Sequence, residues 1–366
     1  MIRETGRKRI SLHPHAYGAG SCLACAAHEL PSPAGTRLVG AFSLGRDALW
    51  WIAVRVAEVV RDVWLPEYCC AQVVEVFSRA GLRLHSYPLS ADLTVDWEMM
   101  AALSKSMPRS VLVLVDLLGY PCVAAAEHEQ TLDSSFICVV RDCAQAVPSE
   151  GTRVVRGQEE GFIVYSLRKP FPIPDYAVVY GLPDSCVAQE CNSNVPSGSV
   201  SATLSRRAYA RLEEFLLRRP GYRRAVGVRA ARQLLKRSAL RGQQPSRLSS
   251  RLIGLVDAQA SAQARRENAA LLLNELREIA LWKSVPTISS PYCFPVLVDN
   301  AAAAKARLHR HGIEATTLWG VRGLWDKENS SSAETSVRRL LCLPVHQDLS
   351  KEEIEMVCSV GGRILG

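Results

Sequence analysis

Two apolar runs that each lead into a polar residue decide the fold of this chain. Phe136–Asp142 has the sequence FICVVRD and ends in a carboxylate, while residues 162–166 have the sequence FIVYS and are followed three residues later by Lys169. Short runs rich in β-branched and aromatic residues are typical of buried strands. Because ligands bind beyond the carboxyl ends of strands in an open parallel sheet, Asp142 and Lys169 are a candidate functional pair. The alternative is that both residues are structural, since acids and bases follow apolar strands in most α/β proteins.

The segments around this stretch alternate between the periodicities of helices and strands. Residues 47–61 are apolar on nearly every side, which is typical of a helix buried in a large protein. The other elements predicted before residue 136 are strands over 63–65, 82–89 and 111–117, a helix over 71–80, and a helix over 96–103 that begins at Asp96. Strands that alternate with helices predict an α/β fold built on a mostly parallel, doubly wound sheet.

The C-terminal part of the chain predicts a second, smaller domain. Residues 202–240 are helical in character, and residues 260–279 predict a long helix that joins the two domains. Beyond it we expect strands over 293–298 and 339–343, helices over 302–311 and 351–360, and a mobile surface loop over 326–336. The predicted organisation is therefore an N-terminal arm over 1–35, a large domain over 36–255, and a small C-terminal α+β domain over 256–366.

The composition is that of a globular protein with room for two domains. Of the 366 residues, 48% are hydrophobic and 22% are charged. No apolar run approaches the roughly 20 residues that a membrane-spanning helix needs, so no membrane insertion is expected. The basic N-terminal segment is not followed by an apolar core, which argues against a secretory signal. We therefore expect a cytoplasmic location.

The cysteines argue against a metal site. The chain has 12 of them, scattered along its length, and Cys138 and Cys342 lie in apolar runs where cysteine acts as a small hydrophobic residue. Cys22 and Cys25 form a C-x-x-C pair with His28 close by. A structural zinc site needs a second matching pair, which the sequence does not offer, so we expect no metal.

Positive charge is concentrated in one predicted helical region. The formal net charge is +8, and arginines are dense between residues 206 and 251. The structural interpretation of this arginine cluster is a solvated helix face. The functional interpretation is attraction of a phosphorylated substrate. We do not expect nucleic-acid binding, because no recognition motif or aromatic-interleaved basic strip accompanies the charge.

Six short motifs, two of which overlap the stretches quoted above, occur in a fixed order along the chain. They are FSLGRDAL at 42–49, VWLPEYCC at 63–70, DCAQ at 142–145, SLRK at 166–169, RREN at 265–268, and LCLPVH at 341–346 followed by DLSKEEI at 348–354. From about residue 40 to the C-terminus the chain resembles the DegT/StrS-type sugar aminotransferases. The resemblance implies a fold-type-I enzyme that uses pyridoxal 5'-phosphate (PLP), with a large domain of mostly parallel sheet flanked by helices and a smaller C-terminal α+β domain.

The resemblance gives the candidate residues specific roles. PLP acts as an electron sink only while its pyridine nitrogen stays protonated, and the carboxylate of Asp142 would ensure this. Lys169 would bind the cofactor covalently and move the proton, which requires a neutral amine and hence a lowered pKa. The other seven lysines lie in predicted termini, loops or helix faces. By the same resemblance, Gln145 would contact the ring oxygen of the cofactor.

The cofactor phosphate needs backbone N–H groups at a helix N-terminus. Gly45 and Arg46 open the predicted buried helix and supply that geometry, with Ser166 as a hydroxyl donor. Gly45, Arg46, Asp142, Gln145 and Ser166 are therefore the predicted cofactor-binding residues, and Lys169 is the predicted catalytic residue.

The resemblance implies transfer of an amino group from an amino acid to a keto sugar. We expect the donor to be glutamate and the sugar to be nucleotide-linked. The expected assembly is a homodimer. Two departures from the family pattern keep alternatives open. Cys69 and Cys70 stand where the family has an aromatic ring that stacks on the cofactor, and residues 175–177, Asp-Tyr-Ala, replace a glycine pair. The alternatives are a non-catalytic homologue that acts as a dimeric binding or regulatory protein, and a PLP-dependent sugar dehydratase.

Overall fold

The stretch FICVVRD is the central strand of the molecule. The computed structural model of this chain describes residues 10–11, 29–106, 109–122, 136–183, 243–325 and 333–366. Within these ranges seven strands form one sheet. They are β1 (Arg37–Phe42), β2 (Asp62–Pro66), β3 (Arg83–Tyr87), β4 (Ser110–Val115), β5 (Phe136–Asp142), β6 (Glu160–Ser166) and β7 (Ala177–Gly181). Their order across the sheet is β1-β7-β6-β5-β4-β2-β3.

The sheet is mostly parallel, as predicted. The neighbours β6, β5, β4, β2 and β3 all pair in parallel, and β7 pairs antiparallel with both β6 and β1. In the described sheet β7 alone is therefore reversed. The parallel strands end at one edge, which carries Pro66, Tyr87, Val115, Asp142 and Ser166.

Some helices pack against the large sheet, and others belong to the C-terminal part of the chain. The α-helices in the described ranges are α1 (Gly45–Val59), α2 (Ala71–Arg79), α3 (Trp97–Ser106), α4 (Arg247–Leu252), α5 (Ala258–Leu276), α6 (Ala301–Arg310), α7 (Ala333–Arg339) and α8 (Lys351–Leu365). The first, α1, is the predicted buried helix. Its residues Ala48, Ile52 and Ala53 are fully buried and share a core cluster with Val113 of β4 and Val140 of β5.

The C-terminal part builds its own core around a two-stranded antiparallel sheet of β8 (Phe294–Leu297) and β9 (Leu340–Leu343). Leu272 and Leu276 of α5, Leu308 of α6, Leu341 of β9 and Val357 of α8 lie in one cluster. This is the α+β composition that the sequence predicts for this region. The domain boundaries at residues 35/36 and 255/256 stay predictions.

One predicted loop is partly a helix. Residues 326–336 were expected to form a mobile loop because they are polar and rich in serine, but α7 begins at Ala333. Ala333 and Val337 are buried, and the Ser336 hydroxyl donates to the Ala91 carbonyl. Because the buried positions are spaced one turn apart, tertiary packing outweighs the polar composition here. The strands β1 and β7 were not predicted.

Several sequence predictions fall on residues outside the described ranges. They are the arm over 1–9 and 12–28 with Cys22, Cys25 and His28, the helical region 202–240 with most of the arginine cluster, and residues 326–332. Within the described ranges, no helix combines the length and the apolar character that crossing a membrane requires.

Candidate functional site

Asp142 lies buried at the carboxyl end of β5. Its side-chain oxygen Oδ1 accepts a hydrogen bond of 2.9 Å from the backbone N–H of Ala144, which begins the turn that follows the strand. Burial raises the pKa of Asp142, while the charge of Lys169 and the Ala144 N–H act in the opposite direction. The carboxylate thus lies in a desolvated place with one backbone donor, and Lys169 is near enough for its charge to act on it.

Lys169 lies in the turn that follows β6, where its backbone N–H donates to the Ser166 carbonyl over 3.0 Å. Burial lowers the pKa of the Lys169 amine; Asp142 and Cys70 raise that pKa, and Arg168 lowers it further. The fold therefore brings Asp142 and Lys169, 27 positions apart in the sequence, close enough for their charges to interact. A lowered pKa is what a lysine needs to react as a neutral amine.

The start of α1 meets the ends of β5 and β6. A Cβ atom built on Gly45 would lie 3.1 Å from Ser166 Cβ and 3.9 Å from Ala144 Cβ, so only glycine fits here without displacing a neighbour. The residue before it, Leu44, is the N-cap of α1 and makes no side-chain cap hydrogen bond. The N-terminus of this helix, with Gly45 and Arg46 in its first turn, is thus a place where an anion can be held by backbone N–H groups.

Gln145 binds the neighbouring loop rather than pointing away from the protein. Its Oε1 accepts a 3.0 Å hydrogen bond from the backbone N–H of Leu118. Leu118 has a positive φ of 58°, and its carbonyl accepts from Tyr292 N–H over 2.7 Å. Since the amide oxygen of Gln145 is engaged, its Nε2 is the end suited to donate to a ring oxygen.

A buried ion pair next to Asp142 was not predicted. Arg141 Nε and Nη2 donate to the two carboxylate oxygens of Asp116, each over 2.9 Å, and both side chains are almost completely buried. Cys143 Sγ adds a 3.2 Å contact to Asp116 Oδ2. The sequence did contain a signal for this ion pair. An arginine inside a buried strand requires a partner, and Asp116 follows the adjacent strand. The pair fixes the ends of β4 and β5 beside the candidate site.

Arg265 on α5 connects the Lys169 turn to the second unit. This fully buried guanidinium donates to the Pro170 carbonyl over 3.2 Å, to the Pro291 carbonyl over 2.9 Å and to Gln347 Oε1 over 2.8 Å. Gln347 Nε2 also donates to the Pro170 carbonyl, over 2.9 Å. The residue that follows Lys169 is therefore held by two donors that come from outside the large sheet.

No protein-family model matches this sequence, and a search of curated proteins finds no match. Solved structures do match its fold. Helicobacter pylori PseC, described as an aminotransferase involved in the biosynthesis of pseudoaminic acid, is 16% identical with a TM-score of 0.64, over 89% of this chain and 86% of that chain. A DegT DnrJ EryC1 StrS aminotransferase from Brucella abortus is 18% identical with a TM-score of 0.61, over 89% of this chain and 85% of that chain. The sugar aminotransferase CalS13 from Micromonospora echinospora is 18% identical with a TM-score of 0.59, over 88% and 86%.

The chain has the fold of these sugar aminotransferases. This confirms the predicted fold-type-I architecture, with its mostly parallel sheet flanked by helices. At this level of identity the likeness concerns the fold, so the roles of individual residues rest on the geometry around them.

Asp175, the first residue of the segment that replaces the family's glycine pair, is the centre of a buried hydrogen-bond network. Its carboxylate accepts from Ser43 Oγ over 3.0 Å, from Ser246 N and Oγ over 3.1 Å and 2.8 Å, and from Ser249 Oγ. It thereby ties the segment after Lys169 to the residues before α1 and to α4. Tyr176 is half-buried, and burial raises its pKa.

Cys69 and Cys70, which stand where the resemblance implies a stacking ring, lie in the loop after β2. Cys70 lies near enough to Lys169 to raise the pKa of its amine. The nearby Tyr68 is buried against Trp319, with ring centroids 5.3 Å apart, and Cys69 is fully buried. The aromatic ring of this loop is thus used in packing.

The described residues contain no group of three or more His, Cys, Asp or Glu side chains that could hold a metal ion.

Proposed function

We propose that this chain is a PLP-dependent aminotransferase that transfers an amino group from glutamate to a nucleotide-linked keto sugar. The observation that carries the proposal is the pairing of Asp142 and Lys169 at the ends of adjacent parallel strands, both desolvated and each acting on the pKa of the other. An acid and an amine whose pKa values are shifted by burial and by each other are typical of an active site.

The residues present suit PLP at both of its ends. The N-terminus of α1, which has no side-chain cap, and the Ser166 hydroxyl beside Gly45 would hold the phosphate. Asp142 would hold the pyridine nitrogen, and the amide of Gln145 would donate to the ring oxygen. The cofactor, when bound, supplies an electron sink for the bonds at the substrate α-carbon.

The chain's own groups supply acid–base chemistry and orientation. Burial and Arg168 lower the pKa of Lys169, which favours the neutral amine that removal of a proton from the α-carbon of an amino acid requires. Burial raises the pKa of Asp142, while the Ala144 N–H and a protonated Lys169 oppose that rise and favour the carboxylate as a hydrogen-bond acceptor. Arg265 and Gln347 fix the Pro170 carbonyl, so the backbone that carries Lys169 has a defined position.

The substrate assignment rests on the family likeness. PseC is described as an aminotransferase involved in the biosynthesis of pseudoaminic acid, and CalS13 as a sugar aminotransferase. The likeness to a sugar aminotransferase supports a sugar substrate for this chain, while the keto group and the homodimer are inferred from the family resemblance of its sequence.

A non-catalytic homologue is the second candidate, and Cys70 is the observation that favours it. Without a ring stacked on the cofactor, binding would lose an aromatic contact worth about 0.5–1.5 kcal/mol. Asp142, Gln145 and Lys169 are nevertheless all retained, which favours the enzyme.

The test is a half-reaction on the purified protein loaded with PLP. The enzyme should show the visible absorbance of bound cofactor, and glutamate should convert the spectrum to that of the amine form. Lys169→Ala should abolish the conversion, while Lys305→Ala, a change at an exposed lysine on α6, should leave it intact. Bound cofactor with no conversion by any common amino donor would favour the non-catalytic homologue.

A further inference from the structure

A cavity lies along the same edge of the sheet, beyond the ends of β2, β3 and β4. It has a volume of about 150 Å³, and its walls include Tyr68, Tyr87, Leu89, Val95, Tyr120 and Trp282. Thr94 and Ser284, which are exposed, mark the side on which it meets solvent. Neither Asp142 nor Lys169 lines it.

The walls favour an uncharged ring. None of the described residues that line the cavity is charged, and the rings of Tyr120 and Trp282 lie 4.5 Å apart between centroids at an angle of 47°. A charged ligand would lose its hydration here without gaining a partner. An apolar cavity of about 150 Å³ is large enough to hold a benzene-sized molecule.

The solvent side of the cavity also offers polar groups. Thr94 and Ser284 line it there, and each carries a hydroxyl. A ring that carries one polar substituent can direct it to these hydroxyls, so such a ring suits the cavity better than a bare hydrocarbon.

The backbone of the cavity wall is strained. Leu93 lines it with φ at 61°, a conformation that costs a leucine about 1–3 kcal/mol. The wall residue Leu117 precedes Leu118, which has φ at 58° and donates to Gln145. Strained residues of this kind cluster at ligand sites, where the surrounding structure holds them.

We propose that this cavity binds an uncharged six-membered ring with a polar substituent, either the base of a nucleoside or a free aromatic compound. The proposal concerns a site separate from Asp142 and Lys169 and does not depend on the aminotransferase chemistry.

The probes are phenol and uridine, each titrated into the full-length protein while its melting temperature and the ligand's saturation-transfer NMR signal are followed. Phenol should bind saturably and raise the melting temperature. Val95→Phe places a ring inside the cavity and should weaken phenol binding at least tenfold. Leu271→Phe, a change at an exposed position on α5, is the matched control and should bind phenol as the wild type does.

Competition between the two probes distinguishes a nucleoside base from a free aromatic compound as the ligand of this cavity. If uridine displaces phenol, the ligand is a nucleoside base; if phenol binds and uridine does not, it is a free aromatic compound. Val115→Phe fills the cavity from β4 and replaces Val95→Phe if that variant does not fold. The proposal is wrong if neither probe binds saturably, or if a folded cavity-filling variant binds phenol as tightly as the wild type. Since no turnover is measured, either failure leaves the proposed aminotransferase untouched.

Discussion

Asp142 and Lys169 each limit the pKa shift that burial imposes on the other. Burial raises the pKa of the acid and lowers the pKa of the amine, so in both residues it favours the neutral form. Their mutual attraction favours the charged forms and reduces both shifts. A ligand that changes the local charge can therefore shift this site toward the carboxylate of Asp142 or toward the neutral amine of Lys169.

Asp142→Asn should separate cofactor binding from catalysis. The amide keeps the shape of the side chain and much of the PLP binding, but it cannot keep a pyridine nitrogen protonated. The barrier of the glutamate half-reaction should rise by about 3–5 kcal/mol, so the rate should fall by roughly two to four orders of magnitude. Asp299→Asn is the control, since that carboxylate is almost completely exposed and should be neutral to activity. An Asp142→Asn variant that turns over at the wild-type rate would contradict the role of Asp142.

At the scale of elements, the site depends on three chain segments that end at one edge of the sheet. Ala144 in the turn after β5 and Ser166 at the end of β6 lie against Gly45 at the start of α1. The Asp116–Arg141 pair fixes β4 to β5 beside them, and the Asp175 network fixes the segment after Lys169 to the residues before α1. These tertiary contacts fix side chains whose positions the local sequence does not determine.

Gly45→Ala should weaken PLP binding by about tenfold, which corresponds to about 1.4 kcal/mol. The added Cβ would lie 3.1 Å from Ser166 Cβ, so Ser166 would have to move by a few tenths of an ångström and the proposed phosphate site would change shape. Gly362→Ala is the matched control: it lies in α8 with no atom near the new Cβ, and alanine should stabilise the helix by about 0.5–1 kcal/mol. Equal PLP affinity for the Gly45→Ala variant and the wild type, measured by fluorescence titration, would rule out the phosphate site.

The sequence predicted those elements whose own pattern is strong. Phe136–Asp142 appears with the predicted bounds, and Gly312, with φ at 83°, ends α6 as expected. The strands β1 and β7 were missed because each is defined by pairing with a distant segment, with an irregular register between Leu38 and Gly40. The partner of Arg141 and the four donors to Asp175 were missed for the same reason. Such contacts depend on tertiary structure, which the spacing of residues along the chain does not contain.

At the scale of the whole molecule, α5 joins the large sheet to the C-terminal unit through a buried cation. Arg265 contacts the turn after Lys169, the segment at Pro291 and Gln347 in the C-terminal part. A fully buried guanidinium needs most of its donors satisfied, so these segments are fixed relative to one another. Through this arginine the position of the reactive amine depends on both units.

The protein should be a homodimer in solution. Fold-type-I enzymes build their active site near a subunit boundary, and we expect the same arrangement in this chain because it shares their fold. Light scattering at micromolar concentration should give twice the 40.2 kDa mass of one chain. A mass of one chain under these conditions would count against the assembly and against a site completed by a second copy.

The most direct test of the central claim is to identify the lysine that binds PLP. The protein is incubated with PLP at neutral pH, reduced with borohydride, digested and mapped by mass spectrometry. Because burial lowers its pKa, the Lys169 amine has a larger neutral fraction at this pH than exposed lysines with the ordinary value near 10.5. We predict one pyridoxyl group per chain, on Lys169, and its loss in the Lys169→Arg variant. A label on another lysine, or one spread over exposed lysines, would contradict the assignment of Lys169 and Asp142 as the cofactor site.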